Sequence, residues 1–402
     1  YPDRCWQLDC EDRQGRTQRY RADFAQRTRG GSELPRVWLL QGQHAGDNAQ
    51  LTAIAEALGW PYENKWPGLK SIRYLPGFWA KRCLAAATPG LTPPWPDLVL
   101  SAGWRTALLA RWIRRRSEGH ARLVAVGRPR AELSGFDLVV TTPQYGLPLR
   151  DNVVDLPAPF VDDRPLDEAT LETWRKRFSH LPRPWVALLV GGDSIPYRLD
   201  APTATALGRE ASAAVKARGG SLLVSTSPRT SDTATEALLA AIDTPVWSYR
   251  FGSAADNPYR ALLALADAFV VTGESVSMLT EACLSGRPVA VFPLPVRRSW
   301  KSRLHHALER KIGVVDRAAG SRGVPRQQNK FGRLYDRLVE AGLFRRERRM
   351  EEVHLALGVT PLPGGLDRLP EMPPELLTAS RTRALLAIRG VLEAGRPVFE
   401  TS

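Results

Sequence analysis

The residues whose types and spacing most suggest chemistry lie in residues 269–294, FVVTGESVSMLTEACLSGRPVAVFPL. An apolar run reaches Thr272 and Gly273, passes through Ser275, Val276, Ser277 and Met278, and enters a helical stretch that carries Glu281. A strand-to-helix turn gathers free backbone N–H groups at the positive end of the helix dipole, and both favour a phosphate. The hydroxyls of Ser275 and Ser277 add donors for the same group. Glu281 falls about one and a half turns into that helix, where a carboxylate can accept hydrogen bonds from two ribose hydroxyls. The chemistry implied is the binding of a phosphorylated, sugar-bearing nucleotide.

Other residues extend this socket. Gly191 and Gly192 follow an apolar run and let backbone approach a phosphate closely. Ser225 ends another apolar run, and Arg229 beyond it is suited to bidentate pairing with phosphate. Trp247 is a candidate platform for the base. Nearer the N-terminus, Gly42, His44, Asp47 and Asn48 form a loop with its own chemistry. His44 has the near-neutral reference pKa of a general base, and Asp47 is the second candidate. Asp47 also reads as an N-cap, with Gln50 three residues on completing a capping box. Ser101, Gly103, Arg105 and Arg128 follow apolar runs in the same half and are candidate contacts to an acceptor or to a phosphate on it.

These residues need a scaffold that brings strand ends together. Short apolar runs separated by helical stretches recur twice, which predicts parallel sheets covered on both faces. The expected organisation is an irregular leader over 1–34, a first Rossmann-like domain over 35–160 and a Pro- and acid-rich linker with one short helix over 161–184. A second Rossmann-like domain follows over 185–370, then a helix and tail over 371–402. Polar helices are expected near 331–341 and 379–393. Two such domains face each other across a cleft at the carboxyl ends of their strands, a GT-B-like α/β architecture.

Composition narrows the partners. The 402 residues carry 56 basic and 42 acidic side chains, a net charge of +14 that favours anionic partners. The tightest basic cluster runs over 111–116, RWIRRR, and a second apolar-basic stretch over 75–82, LPGFWAKR; both suggest an anionic membrane surface. No nucleic-acid module is recognisable, so no nucleic acid is expected. No apolar run reaches the roughly 18 residues needed to span a bilayer. The four cysteines match no zinc spacing, and a reducing cytoplasm is the simple reading. An Asp-x-Asp motif is absent from the sheet regions, so neither a metal nor another cofactor is expected.

Several motifs together resemble a known family. Asn257-Pro258-Tyr259, residues 265–268 (LADA), 272–278 (TGESVSM) and Glu281-Ala282 are similar to the plant "elongated mitochondria" fission factor and its bacterial relatives. So are residues 191–194 (GGDS), 225–230 (STSPRT) and 101–105 (SAGWR), and the similarity covers roughly residues 36–300. The chain departs from the pattern at Asp193, where relatives often carry proline. The resemblance implies the GT-B fold and a nucleotide-diphosphate sugar as donor substrate. With the basic charge and the apolar-basic stretches, the main expectation is a glycosyltransferase acting on a lipid-linked or saccharide acceptor, cytoplasmic and peripheral at the inner membrane face. Two other functions fit the same residues: a nucleotide-sugar 2-epimerase of GT-B architecture, or a non-catalytic nucleotide-binding protein that recruits partners.

Overall fold

The computed structural model of the chain describes residues 6–11, 17–22, 34–67, 90–129, 131–147, 150–297, 348–362 and 364–393. The expected helix at 331–341 and the apolar-basic stretch at 75–82 lie outside them. The segment read as an irregular leader carries two strands, β1 (Trp6–Glu11) and β2 (Thr17–Ala22), paired antiparallel.

The first six-stranded sheet contains β3 (Val37–Leu40), β4 (Tyr62–Lys65), β5 (Leu98–Ala102), β6 (Arg122–Val126), β7 (Leu138–Thr141) and β8 (Val153–Asp155). Their order is β4-β3-β5-β6-β7-β8, and every pairing is parallel. Both faces are covered, which is why the central strands read as continuous apolar runs. Val37, Leu39, Leu98 and Leu100 pack under helix α1 (Ala45–Leu58), with Leu51 and Ile54. Trp38, Leu40 and Val99 face the other way, onto Ala107, Ala110 and Ile113 of α2 (Trp104–Arg116). The period of two along a strand thus serves two cores at once.

Helix α3 (Glu168–Phe178) separates the halves, its first turn closed by the Asp167 carboxylate on the Thr170 N–H at 2.9 Å. The second sheet then assembles from β9 (Trp185–Val190), β10 (Ser221–Thr226), β11 (Val246–Tyr249), β12 (Ala268–Thr272), β13 (Val289–Phe292) and β14 (Thr360–Pro361). Its order is β11-β10-β9-β12-β13-β14, again parallel throughout. Four helices connect β9 to β13: α4 (Ala201–Lys216), α5 (Asp232–Ala240), α6 (Tyr259–Leu265) and α7 (Val276–Leu284).

Two later helices tie the halves together. Helix α8 (Glu351–Leu357) buries Val353 and Leu357 in the second core, while the Arg349 N–H just before it donates to the Gln144 carbonyl of the first half at 3.1 Å. Helix α9 (Pro374–Glu393) places Leu377 in the second core, and Ala384, Ile388 and Val391 under the first sheet. The C-terminal helix is therefore part of the N-terminal core rather than an appended tail.

Candidate functional site

Each sheet reverses direction once. In the second sheet the chain builds outward from β9 through β10 to β11, then returns to the other side of β9 with β12. A ligand crevice is expected at such a switch point, beyond the carboxyl ends of the two strands. Gly191-Gly192 leaves β9 there, and Thr272-Gly273-Glu274-Ser275 leaves β12.

The turns lock to one another. The Gly191 N–H donates to Thr272 Oγ1 at 2.8 Å, and the Gly192 N–H to Glu274 Oε1 at 2.6 Å. The Ser227 and Thr230 hydroxyls, from the loop after β10, both donate to the Gly191 carbonyl at 2.5 Å. Gly192 takes φ +150°, and a Cβ there would lie 2.1 Å from the Arg229 carbonyl oxygen, so only glycine fits. Arg229 Nη2 reaches Ser275 Oγ at 3.2 Å and Glu274 Oε1 at 3.4 Å.

Helix α7 starts at this rim. Ser275 is its N-cap residue but makes no side-chain cap bond, and its own N–H is spent on the Thr272 carbonyl at 3.1 Å. The Ser275 N–H is therefore not among the free donors expected of this turn. The N–H groups of Val276, Ser277 and Met278 have no hydrogen-bond partner among the described residues. These are the orphan donors of a helix's first turn. On the same helix, burial pushes the Glu281 carboxyl up to about 7, opposed by a hydrogen bond from the Tyr259 hydroxyl.

Two further expectations for this half change. Trp247 packs edge-on against Phe178 at 5.1 Å and Trp174 at 5.8 Å, so its ring is held in an aromatic cluster beside α3 and is not a free platform. The exposed aromatic just beyond β11 is Phe251, whose N–H is tied to Thr226 Oγ1 at 2.9 Å. Ser225 is buried within β10. Asp193 shapes the turn, accepting from the Leu199 N–H at 3.0 Å.

The first sheet reverses between β3 and β5. Gly42 follows β3, and the Asn48 side chain brackets its peptide group. Oδ1 accepts the Gly42 N–H at 2.7 Å and Nδ2 donates to its carbonyl at 3.1 Å. Helix α1 starts earlier than predicted, with His44 at the N-cap, so Asp47 lies in the first turn and the predicted capping box does not form. Asp47 Oδ2 lies 3.8 Å from where a Cβ on Gly103 would stand. Burial raises the Asp47 carboxyl, while the charges of Arg348 and His44 pull it back down. His44 is exposed. Arg105 holds Gln43 Oε1 at 3.0 Å. Ser101 is turned into the sheet, its hydroxyl on the Val124 carbonyl at 3.4 Å, and does not face the crevice. Arg128 is buried with its guanidinium 5.8 Å from the Tyr145 ring centre.

The basic cluster of α2 divides. Arg114 turns inward to Asp137 and to the Ala121 and Gly135 carbonyls, and Trp112 stacks edge-on with Trp95 at 6.1 Å. Arg115 and Arg116 are exposed.

The model of the family described as "Mitochondrial fission ELM1" matches residues 45–341, about three quarters of the chain. The chain belongs to the mitochondrial fission ELM1 family. Among curated ELM1 relatives, it is 28% identical over 243 residues to the mitochondrial fission protein ELM1 of Arabidopsis thaliana. That match covers 55% of this chain and 56% of the plant protein, so the chain spans little more than half of that ELM1 relative. It is also 22% identical over 328 residues to the uncharacterized protein RP120 of Rickettsia prowazekii (strain Madrid E), covering 69% and 90% respectively. Among solved structures, MurG of Acinetobacter baumannii covers 89% of this chain and 98% of its own length, at 15% identity and a TM-score of 0.39, a loose likeness of shape.

Sequence reasoning missed four residues of this ELM1-family site. Glu274 was passed over inside the 272–278 motif. Tyr145 has the guanidinium groups of Arg128 and Arg348 each 5.8 Å from its ring centre. Arg348 enters from the far half, just ahead of α8. His354 on α8 bonds the Gly273 carbonyl through Nε2 at 2.6 Å, and burial lowers its imidazole pKa. Nothing local marks these three; they arrive from distant points in the chain. For Glu274, the signal was available as a charged residue directly after a buried strand.

Proposed function

We propose that the chain is a glycosyltransferase that transfers a sugar from a nucleotide-diphosphate donor to a lipid-linked or saccharide hydroxyl. The observation that carries the reading is the free first turn of α7. Val276, Ser277 and Met278 N–H groups open at the switch point of the second sheet, beside the Arg229 guanidinium. The donor's diphosphate rests on those N–H groups and on Arg229, which together stabilise the leaving group as charge develops on it. The ribose hydroxyls meet Glu281, and the base stacks on Phe251.

The acceptor enters from the first half. His44 takes the proton of the acceptor hydroxyl as its oxygen bonds to the anomeric carbon, and the bond from that carbon to the diphosphate oxygen breaks. The nucleoside diphosphate leaves with the electron pair. Asp47 stabilises the imidazolium from one turn of α1, in keeping with the electrostatic coupling between the two groups. Arg128, with Gly42 and Gly103 at the β3 and β5 ends, lines the acceptor side. The exposed Arg115 and Arg116 and the net charge of +14 support approach to an anionic membrane surface. Among the described residues no helix is long and apolar enough to cross a membrane.

A thermal-shift panel of UDP-, GDP-, ADP- and CMP-linked sugars identifies the donor class, because a ligand that binds the folded state raises its melting temperature. With that donor, His44→Ala lowers transfer by about 10²–10⁴-fold and leaves donor affinity unchanged. A collapse on Asp47→Asn with His44→Ala unaffected reassigns the base to Asp47. No stabilising nucleotide sugar in the panel sinks the reading.

A further inference from the structure

The anion cradle of the second sheet already holds a carboxylate. The Glu274 side chain is 0% exposed. Its Oε1 accepts the Gly192 N–H at 2.6 Å and lies 3.4 Å from Thr272 Oγ1 and 3.4 Å from Arg229 Nη2. Its Oε2 is buried with no hydrogen-bond partner among the described residues. The glycine at 191 is what admits this group, since a Cβ there would stand 1.9 Å from Glu274 Oε1. Arg229 is placed differently. Its side chain is 39% exposed, and the same Nη2 also donates to Ser275 Oγ at the mouth of α7. One guanidinium therefore stands between an internal carboxylate and the open N–H groups.

We propose that Glu274 competes with the donor's diphosphate for Arg229, so that binding a diphosphate passes Arg229 to the ligand and is accompanied by uptake of a proton on Glu274. This rests on the donor reading above and deepens it. A buried carboxylate without its cation is strongly disfavoured in its charged form. Burial already raises the Glu274 carboxyl, and Arg229 is the charge that pulls it back. When a phosphate draws Arg229 away, the opposing pull weakens and the proton comes from solvent. Because the complex binds more protons than the free protein, diphosphate affinity falls as pH rises.

The groups around Glu274 agree with that assignment. The turn after β9 contributes the Gly192 N–H and, further out, Asp193 with Arg198 at 3.9 Å. The loop after β10 contributes Arg229, and β12 contributes the Thr272 hydroxyl. Helix α8 contributes His354, engaged with the Gly273 carbonyl and lowered by burial towards its neutral form. Among the described residues, burial raises the Glu274 carboxyl and Arg229 is the cation whose charge opposes that rise. Glu274 is thus a positioning residue, acting on the ligand through Arg229.

The test is calorimetry of UDP, GDP, ADP and CDP, taken in turn, on the full chain near pH 7. It is run in two buffers of different ionisation enthalpy, for the wild type and for Glu274→Gln. The expected result is net proton uptake by the wild type on binding. The variant binds about tenfold more tightly and takes up fewer protons. Ionisation of the diphosphate itself is common to both proteins and drops out of the difference. A purely structural glutamate would change melting temperature and leave the proton count alone. If that variant fails to fold, Arg229→Gln is the reference, since without its cation Glu274 already holds the proton in the free protein; uptake equal to that of the wild type overturns the proposal. Equal affinity and equal uptake in the two proteins overturn the competition and leave the donor reading standing. Failure of every diphosphate to bind either protein overturns both.

Discussion

The two switch points share a topology and differ in construction. In the second half, Gly191, Gly192, Ser227, Thr230, Thr272 and Glu274 are tied to one another through short hydrogen bonds, and Arg229 is oriented by two partners. In the first half, Asn48 brackets one peptide and Arg105 holds Gln43, while His44 stands in solvent at the start of α1. The contrast is physical. Stabilising a charged group requires dipoles already fixed in place, because reorganising them on binding would consume the stabilisation they give. A loop that meets a neutral hydroxyl can stay open and adaptable, provided a rigid sheet carries it.

The sharpest way to break this comparison is to place a methyl group in each turn. Gly192→Ala meets the Arg229 carbonyl at 2.1 Å with φ at +150°. It is expected to destabilise the chain by about 3 kcal/mol and, on the proposed donor reading, to abolish nucleotide binding. Gly42→Ala has nothing nearer than 3.8 Å and should melt close to wild type. Equal losses in denaturant unfolding would show that the first turn is as tightly constrained as the second.

A smaller effect follows from Glu281. Its carboxyl titrates near 4.5 when unperturbed and about 7 in the fold, so the folded state binds more protons across that window. Stability contributed by this group is therefore fully present below about pH 4.5 and is lost as pH rises towards 7. Glu281→Gln should flatten the fall in melting temperature over that range, and an unchanged slope would place the titration elsewhere. The smallest effect is on the open loop. Asn48→Ala removes two hydrogen bonds to Gly42, and a loss of about 1–2 kcal/mol is expected in denaturant unfolding. A loss as large as that of Gly192→Ala would contradict the view that this loop is lightly tied.

Much of the fold was legible locally. The central strands of both sheets are buried on two faces, so they stand out as unbroken apolar runs such as Trp185–Val190. The edges were not legible. β4 reads YENK and is half exposed, β8 has three residues, and β14 has two. An edge strand is defined by the backbone groups of its neighbour, not by its own hydrophobicity. At the site, glycines and hydroxyls at strand ends were visible because those residue types are needed at turns. Trp247 and Ser101 misled because a strand residue's face depends on which side its helices pack.

By itself the sequence determined two parallel α/β halves, the strand-to-helix turn at Thr272–Ser277 and the family. All three are written in short-range pattern, where each residue's neighbours lie within one element. Only the tertiary structure decided that Glu274 fills the glycine turn, that Arg348 arrives from just ahead of α8 and His354 from α8 itself, and that α9 closes the first core. Those placements come from packing between segments far apart in the chain, and a contact of that kind leaves no period to read.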